Sequence, residues 1–306
     1  MSPVISITGP TAVGKSAVAD ELAVRLGSEV ISADAMQVYR GMDIGTAKTP
    51  LAERRVPLHL VDVVEPSEAY SAALYQRTAR SVIDSMLQAG RTPILCGGTG
   101  LYLDAALDDM HFPRGEVSDG RRSEYQQLAD EIGAERLYEL LAQRDPASAA
   151  CIHPNNTRRV IRALEMCDEG VSYAEQRAGF QAPKVMYDAH RFVLTMERDA
   201  LYRRIDERVD AMMGRGLLDE VRVLVEQGVA DALTSRQAIG YKELIQHLEG
   251  ALTLHEAVEL IKQRSRRYAK RQLSWCRRDA RNTWIDMTSR SVAQAADVIW
   301  EMMGLS

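Results

Sequence analysis

The chain opens with a short β-branched apolar run, Pro3-Val4-Ile5-Ser6-Ile7, and then changes its period. Such a run reads as a buried strand, whereas Ala17 to Leu26 repeats its apolar positions at helical spacing. The alternation continues. Glu29-Val30-Ile31-Ser32 reads as a strand ending at Asp34, followed by a loop holding Gly41 and Gly45. His59-Leu60-Val61-Asp62-Val63 is a third strand candidate, and Ala72 to Gln88 a helix closed by Gly90. Thr92 to Cys96 is a fourth strand, with a helix from about Leu101. Strands separated by helices imply crossover connections and a parallel sheet, whose ligands gather beyond the strand C-terminal ends.

Beyond Phe112-Pro113 the strand pattern stops. Ser118 to Gln143 and Asn156 to Glu169 are predicted helices, joined by the Pro- and Asn-containing link Asp145 to Asn155. Arg191-Phe192-Val193-Leu194-Thr195-Met196 returns as a strand, and helical patterns cover Arg198 to Glu226, His255 to Arg281 and Ser291 to Met303. No internal repeat is present. At 306 residues the chain is long enough for two domains, or for one with a large insertion.

The linker between the first strand and the first helix carries the chemistry. Gly9-Pro10-Thr11-Ala12-Val13-Gly14-Lys15-Ser16 fits the G-x-x-x-x-G-K-[ST] pattern of a phosphate-binding loop, in the strand-loop-helix order that the pattern needs. Gly9 and Gly14 let successive N–H groups turn toward one anion. Lys15 adds a point charge, Ser16 offers a hydroxyl to Mg²⁺, and the helix N-terminus adds its partial positive charge. The fold expected is therefore α/β, a P-loop NTPase-like parallel sheet flanked by helices. Residues 1–113 and 190–306 would form this core, with a helical insertion over 114–189 and a helical C-terminal region.

Composition narrows the class. Aromatic residues are few, no run approaches the length of a membrane span, and Met1 leads within a few residues into the phosphate loop, which leaves no room for a signal peptide. A cytoplasmic location is expected. Cys96, Cys151, Cys167 and Cys276 are far apart and the six histidines scattered, so neither disulfides nor a zinc site is expected. The formal charge of −5 argues against a nucleic-acid partner only as an average. From Lys262 to Arg281 there are nine Lys or Arg residues against one acid, Asp279, a local +8 that leaves −13 for the rest. With Tyr268 and Trp275 interleaved, this segment suits contact with a polyanion.

Three other stretches stay ambiguous on the residues alone. Asp34 is a general base, a magnesium ligand or simply a loop cap. Gly97-Gly98-Thr99-Gly100 is an anion or base-edge site, or a tight turn requiring positive φ. Ser235 to Lys242 is an RNA contact or a helix cap.

Taken together, these motifs resemble the bacterial tRNA dimethylallyltransferases over nearly the whole chain. The resemblance rests on Gly9 to Ser16, on Asp34-Ala35-Met36-Gln37-Val38-Tyr39-Arg40-Gly41-Met42-Asp43-Ile44-Gly45-Thr46-Ala47-Lys48, and on Gly97-Gly98-Thr99-Gly100-Leu101-Tyr102. Asn155 to Glu165, Gln237 to Glu243 and Arg267-Tyr268-Ala269-Lys270-Arg271-Gln272 support it. The phosphate loop is shared by many nucleotide enzymes; the second and last motifs are far more specific.

The resemblance implies transfer of a dimethylallyl group from its diphosphate to N6 of the adenosine on the 3′ side of the tRNA anticodon, with Mg²⁺ held through Ser16. It implies Asp34 as base and Thr99 as a positioning group. Gly9, Thr11, Ala12, Val13, Gly14, Lys15 and Ser16 would hold the diphosphate, completed by an unassigned cation between Arg198 and Arg215. tRNA contacts are implied at Asp34, Ala35, Met36, Gln37, Thr99 and Arg121, at Arg158, Arg159, Val160, Ile161 and Arg162, and at Arg236, Gln237, Ala238, Ile239, Gly240 and Tyr241. Arg267, Lys270 and Arg271 of the basic segment join them. The insertion would grip the anticodon stem-loop of a monomeric, membrane-free enzyme. Two departures stand out: Ala35 where the family often has Ser, and Thr49 between Lys48 and Pro50. The rival readings are a P-loop small-molecule or nucleoside kinase, a prenyltransferase for free AMP, and a nucleotide-gated RNA-binding switch.

Overall fold

The computed structural model describes residues 3–112, 120–181, 184–232 and 234–304. The chain divides into two compact units, Met1–Leu107 with Tyr187–Ser306, and Asp108–Met186. The second unit thus begins before residue 114 and ends before 189, because an antiparallel bridge joins Asp108 to Val185 and the sheet is rejoined at Ala189. The predicted helix start at Ser118 lies outside the described residues, as do Pro113 and Arg114.

Six described strands, all parallel, form the sheet of the first unit: β1 (Val4–Thr8), β2 (Val30–Ser32), β3 (Leu58–His59), β4 (Ile94–Cys96), β5 (Ala189–Thr195) and β6 (Asn282–Asp286), in the order β3-β2-β4-β1-β5-β6. Because side chains alternate along a strand, Ile5, Ile7, Val30 and Ile94 enter one core and Val4, Ile31 and Leu95 the other. α1 (Lys15–Leu26) covers the first face, while α2 (Ala72–Gln88) and α3 (Gly100–Leu107) contribute to the second. The third strand is shorter than the pattern 59–63 suggested. Leu60 and Asp62 take φ of 60° and 56°, outside the strand basin, and Lys48 Nζ holds the Asp62 carboxylate at 2.5 Å.

The second unit is helical: α4 (Arg121–Ile132), α5 (Ala134–Arg144), α6 (Pro146–Ala150), α7 (Thr157–Asp168) and α8 (Tyr173–Gln181). The single helix predicted over 118–143 is two, separated at Gly133, whose φ of 84° cannot continue a helix. Leu137, Leu141, Val160, Ile161 and Leu164 form the core of this unit. The buried Glu165 carboxylate is held there by Arg122 through two bonds of 2.9 and 3.0 Å, and by Arg162 at 3.3 Å.

The chain then supplies α9 (Arg198–Gly214), α10 (Leu217–Glu226), α11 (Tyr241–Leu248), α12 (Leu254–Cys276) and α13 (Val292–Met302) to the first unit. The predicted helix 198–226 breaks at Gly216, with φ of 93°. Sequence reading missed β6 entirely: it sits at the sheet edge, so only Ile285 is buried and no alternating pattern marks it.

α12 determines the shape of the turn after β4. Gly97, Gly98 and Gly100 have no positive φ, so of the two readings left open the positive-φ turn does not hold. They are required by close approach: a Cβ at Gly97 would lie 2.1 Å from the Ala33 carbonyl oxygen, at Gly98 2.1 Å from Gln272 Nε2, and at Gly100 2.2 Å from the Trp275 ring. Gly97→Ala, which meets backbone rather than a movable side chain, should lower stability by about 1–3 kcal/mol. Thermal unfolding checks this, and an unchanged midpoint would contradict so close a contact.

Candidate active site

The loop after β1 is shaped for an anion. Gly9 has φ of 140°, and a Cβ there would lie 2.3 Å from the Leu194 carbonyl oxygen. Ala12 and Gly14 also have positive φ, 66° and 102°, which turns the intervening amides. Gly14 caps α1 without any side-chain hydrogen bond, so the first N–H groups of the helix lack an intrahelical partner and face the loop. Val13 is fully buried, and any part it takes is through its backbone.

Lys15 Nζ donates to the Pro10 carbonyl at 2.7 Å. The residue as a whole is half-buried, but its ammonium is enclosed, and desolvation lowers its pKa to about 8 against the opposing pull of Cys96 and Asp34. The neighbouring Cys96 thiol is pushed up to about 11 by burial. Ser16 is exposed and lines a small separate cavity of about 40 Å³ with Ser32, Gln37 and Arg54.

Beyond β2, Asp34 Oδ1 accepts the Met36 N–H at 2.9 Å, while Oδ2 has no hydrogen bond among the described residues. Thr99 Oγ1 accepts the Ala35 N–H at 3.0 Å, which joins the ends of β2 and β4. That bond uses backbone, so the absence of a serine hydroxyl at Ala35 leaves it intact. Gln37 turns inward, accepting from Ser32 Oγ at 2.9 Å and donating to the Thr46 carbonyl at 3.2 Å.

Asp34, Thr99 and Thr11 line one cavity of about 320 Å³. Its apolar wall comes from Ile205, Val209, Met212, Leu217, Ile239 and Ile261, and its polar residues include Arg208, Gln237, Tyr268 and Arg271. Of the predicted diphosphate residues only Thr11 reaches this lining, although Lys15 Nζ lies 3.8 Å from where a Cβ on Gly98 would stand. Of the cations between Arg198 and Arg215, Arg208 is the one that lines this cavity. Burial lowers its pKa, the Asp34 carboxylate opposes that shift, and it has no ion pair among the described residues.

Several residues expected to contact tRNA have buried side chains. Val160 and Ile161 belong to the core of the helical unit, where burial removes their side chains from any surface, whereas Arg158 and Arg159 are exposed and Arg162 is tied to Glu165. Ala238 and Tyr241 are buried as parts of the cavity lining, and Gly240 is the buried N-cap of α11. Arg236, Gln237 and Ile239 keep partial exposure. Arg121 stands at the first position of α4, half-buried.

The interleaved aromatics of α12 also face inward. Trp275 Nε1 donates to Asp104 at 2.9 Å, and the Tyr268 hydroxyl, near Thr99 and Asp34, is pushed up to about 12 by burial. Lys262, Arg264, Arg266 and Arg281 are engaged by Asp210, Glu243, Asp206 and Asp279. Arg267, Lys270 and Arg271 on α12, with Arg277 and Arg278 just beyond its end, are exposed without an ion pair among the described residues, and the spacing of the first three puts them along one side of the helix. Gln272, absent from every sequence expectation except as a motif letter, donates to the Gly98 carbonyl at 3.0 Å and accepts the Thr11 N–H at 2.9 Å.

Comparison with known proteins places the chain in a family. The family model described as IPP transferase matches residues 37–279, and that described as isopentenyl transferase matches 2–56. The chain is 49% identical over 287 residues to a tRNA dimethylallyltransferase of Geobacillus thermodenitrificans, covering 93% of this chain and 90% of the relative. It is 47% identical over 287 residues to that of Bacillus subtilis, covering 94% and 91%. Among solved structures, the tRNA isopentenylpyrophosphate transferase of Bacillus halodurans is 43% identical, with a TM-score of 0.73 over 99% of this chain and 97% of that one. A eukaryotic dimethylallyltransferase acting on tRNA is 29% identical, with a TM-score of 0.81 over 98% of this chain and 78% of that one. The chain belongs to the tRNA dimethylallyltransferase (IPP transferase) family.

Proposed function

We infer that this protein transfers a dimethylallyl group from dimethylallyl diphosphate to N6 of the adenosine 3′ of the anticodon in tRNA. The observation carrying the reading is the shared cavity, where a carboxylate with one unengaged oxygen, a threonine hydroxyl and a half-buried arginine meet an apolar wall beside a phosphate loop.

An adenine N6 lone pair is delocalised into the ring, so N6 is a weak nucleophile until its proton leaves. Asp34 Oδ2 is suited to take that proton as the N6–C1 bond forms, while the C1–O bond breaks and its electron pair departs with diphosphate. Thr99 gives one lone pair to Ala35 and keeps a second, with its O–H, to orient N6. Lys15, Arg208 and the N–H groups at the start of α1 suit the oxygens that gain charge. Mg²⁺ fits the exposed Ser16 hydroxyl, since this ion binds through few protein oxygens plus phosphate and water, and when bound it would neutralise the leaving diphosphate. Burying five carbons against Ile205, Val209, Met212, Leu217 and Ile261 favours the prenyl chain by about 4 kcal/mol.

The exposed stripe from Arg267 to Arg271 supports contact with an RNA backbone, and Arg158 and Arg159 support a second contact from the helical unit. Extruding a base is cheapest in a single-stranded loop, which fits an anticodon loop as acceptor. No helix among the described residues is long and apolar enough to cross a membrane; a monomer acting in the cytoplasm is the proposal. The kinase reading needs a second free acid for Mg²⁺, and its candidate, Asp62, is engaged by Lys48.

With radiolabelled dimethylallyl diphosphate and unmodified tRNA, label should enter the RNA. Asp34→Ala should slow that transfer by roughly 10²–10⁴-fold with tRNA affinity little changed; turnover near wild type would remove Asp34 as base. Replacing Arg267 and Lys270 by Gln should weaken tRNA binding and reduce its salt slope by about 1–2, and an unchanged slope would take α12 out of the RNA interface. Lys15 is charged in the free protein only below pH about 8, so diphosphate affinity should fall as pH rises through that value. Titration calorimetry of Lys15→Met, which shares the ligand's own ionisation, should lack this component; parallel pH profiles would refute it.

A further inference from the structure

Glu220, on α10, lies outside every motif singled out in the sequence, yet its carboxylate is fully engaged. Oε2 accepts the backbone N–H groups of Asp43 at 3.0 Å and Ile44 at 2.7 Å. Oε1 accepts the Gly45 N–H at 3.2 Å and the Tyr241 hydroxyl at 2.6 Å. Three consecutive amides converging on one point make an anion-binding concavity, and here its occupant is a carboxylate of the same chain.

The groups it gathers form one side of the site. Gly45, Leu217 and Tyr241 line the 320 Å³ cavity, and a Cβ at Gly45 would stand 2.4 Å from the Tyr241 ring. The loop is also secured on either side of residues 43–45. Thr99 holds it at Ala35, and Lys48 Nζ reaches the Tyr39 carbonyl and the carboxylates of Asp43 and Asp62. Between those anchors, Glu220 is what ties the loop to α10 and α11. The phosphate loop depends on other contacts, those of Gln272 and Leu194.

We propose that Glu220 is a positioning residue for the acceptor: by filling the concavity at residues 43–45 it holds the loop that follows Asp34 against Tyr241, in the geometry that receives the target base. It touches no substrate and acts through the loop backbone and the Tyr241 hydroxyl. This rests on the transferase reading, and wild-type transfer of label to tRNA tests that reading separately.

The experiment compares wild type, Glu220→Ala and Glu220→Gln for kcat and KM toward tRNA and for diphosphate affinity by calorimetry, with and without added formate. Glu220→Ala should lose about 10²-fold in kcat/KM for tRNA while diphosphate affinity stays within about twofold. Formate, a free carboxylate small enough for the vacated concavity, should restore about tenfold of that loss and leave wild type unchanged. Glu220→Gln, which preserves shape but turns an N–H₂ toward the converging donors, should be impaired and insensitive to formate, and it serves alone should Glu220→Ala not fold. The proposal is overturned by wild-type kcat/KM in both variants, by an equal loss of diphosphate affinity, or by failure of formate to restore a folded Glu220→Ala.

Discussion

One amide side chain joins the two loops on which the proposed chemistry depends. Gln272 accepts the Thr11 N–H of the phosphate loop and donates to the Gly98 carbonyl beside Thr99. Because Gln272 is buried, either group left unpaired would cost about 1–3 kcal/mol, so the two loops are held in one arrangement. Gly98 admits this contact, since a side chain there would strike Gln272, while side chains at 97 and 100 would strike Ala33 and Trp275. A helix far along in sequence thereby determines how the strand ends face each other.

Charge is distributed on the same principle. The half-buried cations Lys15 and Arg208 lie near Asp34, and desolvation lowers the pKa of both, so an anion entering there would meet positive charge that water screens little. From Lys262 to Arg281, along α12 and just beyond it, acids engage four of the nine basic residues, and the single acid within that segment, Asp279, also pairs with buried Arg191. Of the five cations left exposed, the three on α12 form a stripe rather than a diffuse basic surface, and a stripe suits a backbone that runs in one direction.

The phosphate loop was legible because its glycines, lysine and flanking periods are all local features. So were α2 and the strands β1, β2 and β4. Asp34 and Thr99 were legible as strand-end residues, but their partnership through Ala35 depends on β2 and β4 being neighbours in the sheet, which no local pattern encodes. Tyr268 and Trp275 were misread as surface aromatics because charge density along α12 says nothing of which side is buried; the apolar residues Ile261, Ala269 and Cys276 mark that side. Gln272 and Glu220 were missed, and Arg208 left unchosen among the cations from Arg198 to Arg215, for a shared reason. Each is a polar residue on a helix whose partners lie in distant segments, and polar positions carry no periodic signal of burial. Gly133 and Gly216 did signal helix breaks, and reading them as ordinary helical positions produced two helices that were too long.

A crystal structure with a non-hydrolysable thio-analogue of dimethylallyl diphosphate and an anticodon stem-loop tests the shared cavity most directly. The expected result is diphosphate at the start of α1, the prenyl chain against Val209 and Ile261, and C1 about 3–3.5 Å from an adenine N6 held between Asp34 and Thr99. Prenyl density outside that cavity, or an Asp34 carboxylate turned away from the base, would contradict it.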